Sequence, residues 1–354
     1  MQSCDIDVLV VGAGPAGASA AWRAADTGAR VLLVDRRAEI GTPVQCAEFV
    51  PLPMLPYTRD AGVGVQRIEG MLTFLPSDAR HHSAFPGLMI DRGAFDRALA
   101  AKAAAAGAQV WTAAHFDAWD GTVAHLRHGG TAHQVRPRVL IGADGPHSTV
   151  AHALGLADQE IVYTRQYTVP LNESYQDTDI FLSDDYPGGY GWLFPKGEVA
   201  NLGIGADRRF EANLKMPLDA LHAAMVERGL VGGEILYRTG GAIPVGGVRP
   251  MVHGTVLLAG DAAGLTHPIT GAGISAAVFS GEAAGAAAAA FVRSGDAAVL
   301  AGYEEDLRDQ FGPSLDRALR RRAALAQVWR RPQAREDDVM RSGWIAFEEY
   351  FAAH

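Results

Sequence analysis

The start of the chain constrains its fold more than any other stretch. Ile6 to Val11 is a short apolar run rich in β-branched residues, and it ends on glycine. Pro15 to Thr27 reads as a helix of small residues stopped by Gly28, and Arg30 to Val34 as a second buried strand closed by Asp35. Strand, helix and strand in so short a span read as a βαβ unit on a parallel sheet. The turn that opens its helix is Gly12-Ala13-Gly14-Pro15-Ala16-Gly17. Gly12 permits the tight turn, Gly14 lets the backbone approach a pyrophosphate, and Gly17 allows helix and strand to pack closely. The helix start at Pro15 and Ala16 offers unpaired N–H groups and a positive dipole end to phosphates. Asp35 follows Gly12 by 23 residues, where a carboxylate accepts hydrogen bonds from ribose hydroxyls and repels a 2′-phosphate. FAD or NAD is therefore expected rather than NADP, with Arg36 at the same edge of the cofactor.

Two later stretches repeat this logic at other strand ends. Val139 to Ala143 runs into Asp144-Gly145, with Ser148 close behind. Thr255 to Ala259 runs into Gly260-Asp261-Ala262-Ala263-Gly264, then Pro268 and Gly271-Ala272-Gly273-Ile274, before a long helix from Gly273 to Val292. Ligands of open α/β sheets bind at the carboxyl ends of strands. Asp261 there can hold a ribityl hydroxyl, and the dipole of the helix after Gly273 can stabilise negative charge on a reduced isoalloxazine. Each Asp-Gly pair alone is a turn; in this order, at strand ends, they single out FAD.

Between these signals the pattern changes. Asp91 to Ala106 is a second helix, Val110 to Thr112 a strand, and His115 to Val135 polar, alternating antiparallel strands. Ile161 to Ala206 reads as β, Pro217 to Arg228 as a helix, and the chain from Gly302 onward as charged, arginine-rich helix. The expected class is α/β: a Rossmann-type (GR2-like) FAD-binding domain interrupted by an antiparallel β-sheet substrate domain, with a C-terminal helical segment. The FAD domain is expected at 1–50, 85–155 and 245–300, the substrate domain at 51–84 and 156–244, and the helical segment at 301–354.

The three motifs together resemble the FAD-binding set of para-hydroxybenzoate-hydroxylase-type flavoproteins, over residues 5 to about 300. That resemblance implies that Arg92, heading the second helix, contacts FAD. It also implies no separate NAD(P)H domain, since no second Gly-rich βαβ unit is present. Within the superfamily two stretches are similar to geranylgeranyl reductases. Gly41-Thr42-Pro43-Val44-Gln45-Cys46-Ala47-Glu48 matches the segment that places a cysteine beside the flavin, with Gln45 and Ala47 where those enzymes carry arginine and glycine. Cys46 is thereby implied to touch the cofactor and to act as a proton donor or to shape the pocket; read without that resemblance, a lone cysteine is usually a small buried hydrophobe. Pro187-Gly188-Gly189-Tyr190-Gly191-Trp192-Leu193-Phe194-Pro195-Lys196 resembles the motif that lines the family's substrate cavity. Alternation places Tyr190, Trp192 and Phe194 on one strand face, fit either for an apolar channel or for an ordinary core, with Lys196 at its end.

What the resemblance implies is an FAD-dependent oxidoreductase reducing C=C bonds of an isoprenoid lipid, with NAD(P)H or a small electron carrier as reductant. The alternative is a flavin monooxygenase acting on an aromatic compound or a protein side chain. A halogenase is disfavoured, because Tyr190 stands where its first signature tryptophan belongs and Lys102 and Lys215 are poorly placed. A non-catalytic flavin- or lipid-binding protein is disfavoured by three intact FAD motifs. At 354 residues the chain is shorter than is usual for these reductases, and a smaller pocket or a different substrate is expected.

Composition sets the remaining bounds. A net charge of −9 argues against nucleic acid as a partner. Two isolated cysteines, Cys4 and Cys46, make no disulfide framework or metal site and fit a reducing, cytoplasmic setting; Cys4 is expected only to precede the first strand. No signal peptide is read at the N-terminus, and the Ala283–Val292 run is expected to be too short and weakly apolar for a transmembrane segment, which leaves peripheral membrane contact open. His81, His82 and His147 lack metal spacing, and His267, close to where the flavin should sit, is expected to be a satisfied loop histidine, the alternative being a group that tunes protonation there. The Arg317–Arg322 cluster is expected to be a solvated helix face, or else a contact for anionic lipid head groups.

Overall fold

A computed structural model describes residues 6–329 and 331–352; Cys4 lies outside them. The chain begins β1 (Val8–Val11), α1 (Pro15–Ala25), β2 (Val31–Val34), β3 (Phe49–Pro51), α2 (Leu55–Ala61), β4 (Gly64–Phe74), β5 (Arg80–Ile90) and α3 (Arg92–Ala105). It continues through β6 (Gln109–Trp111), β7 (His115–Trp119), β8 (Ala124–His128), β9 (Thr131–Val135), β10 (Val139–Gly142), α4 (Thr149–Ala153), β11 (Ile161–Pro170), β12 (Asp177–Phe181), β13 (Gly191–Lys196) and β14 (Val199–Ala206). The remainder is α5 (Lys215–Glu227), β15 (Tyr237–Thr239), β16 (Ala242–Pro244), β17 (Val252–His253), β18 (Val256–Leu258), α6 (Ile274–Ser294), α7 (Ala298–Ala326), α8 (Asp337–Ser342) and α9 (Glu348–Phe351).

The first sheet has the order β17-β18-β10-β1-β2-β6, parallel except where β17 meets β18. β1, β2 and β10 are buried at every residue, as strands covered on both faces must be. Small residues let the helices approach closely. A Cβ on Gly281 would fall 2.1 Å from the Ala16 carbonyl oxygen, and one on Gly285 would fall 2.3 Å from that of Ala20, so α6 and α1 touch backbone to backbone. A three-stranded antiparallel sheet, β7-β8-β9, adds Phe116, Ala124, Leu126 and Val135 to the same core.

The second sheet runs β15-β11-β14-β13-β12-β4-β5-β3, with β16 also on β11. It is antiparallel except for the β12–β4 pair. The FAD domain is therefore a parallel Rossmann-type sheet, the inserted sheet is almost wholly antiparallel, and a helical C-terminal segment follows.

Two expectations about helices need correction. By length and composition α6 can cross a membrane, contrary to the reading of its alanine run, but it spends 56% of its most apolar window buried in the protein. The arginine cluster on α7 is not a uniformly solvated face. Arg321 is only 5% exposed and donates to the carbonyls of Glu349, Tyr350 and Ala352; Arg322 is 8% exposed and donates to Gly188 and Asp207. These two guanidiniums satisfy carbonyls and a carboxylate that burial would otherwise strand, and so dock the C-terminal segment.

Candidate active site

The Gly-rich turn is set by contacts that admit no side chain. Gly12 has φ +98°, and a Cβ there would fall 2.4 Å from the Ala143 carbonyl oxygen. At Gly17 a Cβ would fall 1.7 Å from the carbonyl oxygen of Gly12. At Gly14, by contrast, it would meet no protein atom within 4 Å. α1 starts here with Gly14 as its N-cap, Pro15 in its first turn and no side-chain cap, leaving the Ala16 and Gly17 N–H groups facing the open side. Asp35 braces the turn: Oδ2 accepts the Ala13 N–H at 2.7 Å and Oδ1 the Arg37 N–H at 2.8 Å. Asp35 stays partly exposed, and Arg36 beside it is exposed.

Asp144 anchors the start of α4. Its carboxylate accepts from the Ser148 hydroxyl at 2.5 Å and from the Thr149 and Val150 N–H groups at 2.6 and 3.1 Å, so it caps α4. Burial pushes this carboxyl above the usual range against those bonds. Gly145, at φ +88°, carries the chain past it with open space on its Cα. Asp261 sits in the 3₁₀ turn Gly260–Ala263, accepts from Thr266 Oγ1 at 2.6 Å, and is likewise pushed up by burial. Gly271, Ala272 and Gly273 then lead into α6, whose N-cap Gly273 brings no side-chain cap to Ile274 and the following N–H groups.

His267 stands beside this loop. Its Nδ1 accepts the Thr270 N–H at 3.2 Å, which fixes the neutral Nε2–H tautomer, and Nε2 lies 3.3 Å from Tyr350 Oη. Burial lowers its pKa from 6.5 to about 4. Over that interval the unfolded chain binds a proton that the folded chain refuses, so stability is lost progressively as pH falls from about 6.5 to about 4. Urea titrations should show a steeper loss over this window for the native protein than for His267→Gln; parallel profiles would contradict it.

The centre of the site is the turn through Cys46. The Cys46 carbonyl accepts from Gln166 Nε2 at 3.1 Å, and Gln166 Oε1 in turn accepts the Trp192 indole N–H at 3.1 Å. The thiol accepts the Glu48 N–H at 3.2 Å. Burial pushes the Cys46 thiol up, while the Arg92 guanidinium beside it pulls the other way. Arg92 heads α3, paired with Asp96 one helical turn on at 2.7 and 3.2 Å. Burial disfavours its charge, yet Asp96 overrides this and keeps it a cation above its ordinary pKa.

Tyr190, Trp192 and Phe194 share one face, as alternation requires, and Leu193 faces the opposite core. Tyr190 donates to the Thr270 carbonyl at 2.6 Å, tying the β13 edge to the loop before α6. Trp329, Met340, Trp344 and Phe347 of the C-terminal segment cover this face, with Trp344 against Tyr190 at 4.8 Å between rings. They leave a partly open cavity of about 30 Å³ beside Tyr190 and Ile269. Lys196 is not part of that cavity. Its ammonium pairs with Glu48 at 2.7 Å and lines a separate polar cleft of about 330 Å³ with Thr42, Pro43, Val44, Gln166 and Thr168. Alternation gave Lys196 the right face but not the partner that claims its charge.

Glu48, Gln166, Asn201 and Asp96 are the site residues that sequence reasoning missed. Asp96 was within reach as the i+4 partner of Arg92. Gln166 and Asn201 carry only a faint signal, a polar residue at an inward position of an apolar strand.

The residues present fit a flavin dinucleotide: open space at Gly14, helix N-termini at α1 and α6 without side-chain caps, and Cys46 beside the Arg92 guanidinium. Comparison with known proteins agrees. Residues 7–109 match the FAD dependent oxidoreductase family, 76–179 the FAD binding domain family, and 207–348 the lycopene cyclase protein family. Digeranylgeranylglycerophospholipid reductase 1 of Methanopyrus kandleri is 36% identical over 87% of this chain and 88% of its own. The corresponding reductase of Thermoplasma volcanium is 34% identical over 86% and 84%. The crystal structure of a geranylgeranyl bacteriochlorophyll reductase-like protein from Thermoplasma acidophilum superposes with a TM-score of 0.86 at 30% identity, over 97% of this chain and 92% of that one. A flavin-dependent halogenase shares the fold at 20% identity, with a TM-score of 0.75 over 94% of this chain and 67% of that one. With its FAD cradle intact and more than a third of its residues identical to a reductase matched over nearly its whole length, this chain belongs to the geranylgeranyl reductase family of FAD-dependent oxidoreductases.

Proposed function

We propose that the chain saturates C=C bonds of an isoprenoid lipid, drawing electrons from NAD(P)H or a small electron carrier. The observation that carries this reading is the bond chain from Trp192 through Gln166 to the Cys46 carbonyl, which joins the aromatic face to the cysteine turn at one place. Bound FAD supplies the hydride once reduced. Cys46 supplies the proton: its buried thiol keeps its hydrogen at neutral pH, where a thiolate would be useless as a donor. The alkene gains hydride on one carbon and this proton on the other, and the thiol recovers its proton from solvent. Tyr190, Trp192 and Phe194 offer an apolar wall to the chain and exclude water from the reacting carbons. A lipid substrate also fits an enzyme that visits a membrane surface, and the two isolated cysteines fit a cytoplasmic one.

The test is anaerobic. Enzyme with chemically reduced flavin, mixed with geranylgeranyl lipid, should return flavin absorbance without oxygen and yield product with a pair of hydrogens added per double bond. No saturation, together with lipid- or aromatic-triggered oxygen uptake and a hydroxylated product, would replace this reading with the monooxygenase.

A further inference from the structure

Glu48 has an unusual combination of properties for a glutamate in a connecting segment. Its side chain is only 7% exposed, and its backbone lies in the left-handed region at φ 71°. That conformation is unfavourable for a residue with a Cβ and persists only where the surroundings over-determine it. The surroundings do so here. Oε1 accepts the backbone N–H of Arg92 at 3.0 Å, at the start of α3. Oε2 accepts from Lys196 Nζ on β13 at 2.7 Å and from Asn201 Nδ2 on β14 at 2.9 Å. The same Asn201 amide reaches the Ala47 carbonyl at 3.2 Å, so one side chain grips both the backbone and the carboxylate of the turn. The Glu48 carbonyl accepts the Ile90 N–H at 2.9 Å, which locks the far side of the turn to β5.

The consequence falls on Cys46. The Glu48 N–H is the backbone donor to the Cys46 thiol, and its direction depends on the left-handed φ that the carboxylate contacts maintain. A carboxylate held by donors from three elements is also a staple between the first sheet's α3 and the second sheet's β13 and β14. We propose that Glu48 is the positioning residue for Cys46: clamped by Arg92, Lys196 and Asn201, it holds the turn that aims the thiol into the site. This deepens the reading of Cys46 as proton donor and rests on it.

The experiment uses FAD-loaded full-length enzyme, native and Glu48→Gln. Alkylation of Cys46 by iodoacetamide at one pH is followed on its own peptide by mass spectrometry, separately from Cys4. Glutamine preserves size but presents an N–H₂ where donors already crowd, so the clamp opens. Alkylation of Cys46 should rise at least about fivefold as the thiol swings free. Turnover should fall about tenfold or more in kcat, with KM and flavin content within about threefold of native. A structural role alone would lower stability and flavin content without releasing the thiol. Native alkylation and native kcat in a folded, flavin-loaded Glu48→Gln protein would overturn the proposal. Should that variant fail to fold, Lys196→Met removes one of the three donors from outside the turn. It should raise alkylation in the same direction, and an unchanged rate there is equally fatal. If native enzyme saturates no prenyl lipid, the proposed function fails, while the alkylation comparison still decides the role of Glu48.

Discussion

Gly17→Ala will unfold the nucleotide half of this protein, whereas Gly14→Ala, three residues earlier, will leave its stability intact and abolish most of its FAD binding. The two glycines face different things. The alanine methyl at 17 lands 1.7 Å from the Gly12 carbonyl oxygen, an atom fixed by the turn and unable to rotate away. Relief requires α1 to lift from β1 and, with it, from α6, against which it packs backbone to backbone. Overpacking usually costs about 1–3 kcal/mol, and a clash between two backbones belongs above that range, a large share of a typical net stability of about 5–15 kcal/mol. The methyl at 14 meets no protein atom within 4 Å, and φ −73° with ψ −175° suits alanine as well as glycine. Its effect on stability should stay within about 0.5 kcal/mol. If pyrophosphate fills that space, FAD affinity should fall about tenfold or more, equivalent to about 1.4 kcal/mol. Denaturant titration and flavin absorbance after desalting separate the cases. A Gly14→Ala protein with native FAD affinity would mean that the cofactor does not approach there.

Cys46→Ala should lower the rate of alkene saturation by about 10²–10³-fold, within the span typical of a lost general acid, while FAD content and the rate of flavin reduction stay native. The argument rests on the state of the thiol. Burial keeps it protonated, and its carbonyl and sulfur are both held, by Gln166 and by the Glu48 N–H. A protonated group held in two places is suited to deliver its proton along a fixed direction. Cys46→Ser keeps a hydroxyl in the same place but a far weaker acid, and its rate should fall between the two. Stopped-flow reoxidation of reduced enzyme by prenyl lipid reads these rates directly. A loss smaller than about fivefold in Cys46→Ala would assign the residue to pocket shape alone.

These expectations draw on two kinds of information that entered at different levels. The FAD cradle was legible because its constraints are local. A turn that must admit a backbone carbonyl at van der Waals distance needs Gly12 and Gly17 whatever surrounds it, and a strand covered on both faces must be apolar throughout. The helix of small residues, Asp35 at the next strand end and the one-sided face of Tyr190, Trp192 and Phe194 follow from periods of 3.6 and 2. By itself, then, the sequence determined a flavin-binding α/β fold with an aromatic strand face; the place of Cys46 beside it was implied only by the resemblance of the Gly41–Glu48 segment to geranylgeranyl reductases.

What only the tertiary structure decided is where charges find partners. Asp144 finds its protein donors at the start of α4; Lys196 pairs with Glu48, 148 residues earlier; Arg321 and Arg322 read as a solvated face but bind the carbonyls of the last turn and the Asp207 carboxylate. The Cys46 turn itself is fixed by Gln166 and Asn201, more than a hundred residues away. Glycine turns and strand faces are written in the residues that form them. A buried ion or amide must be satisfied by whichever donor or acceptor folding brings alongside it, and that neighbour is set by sheet order and register, which no local pattern encodes.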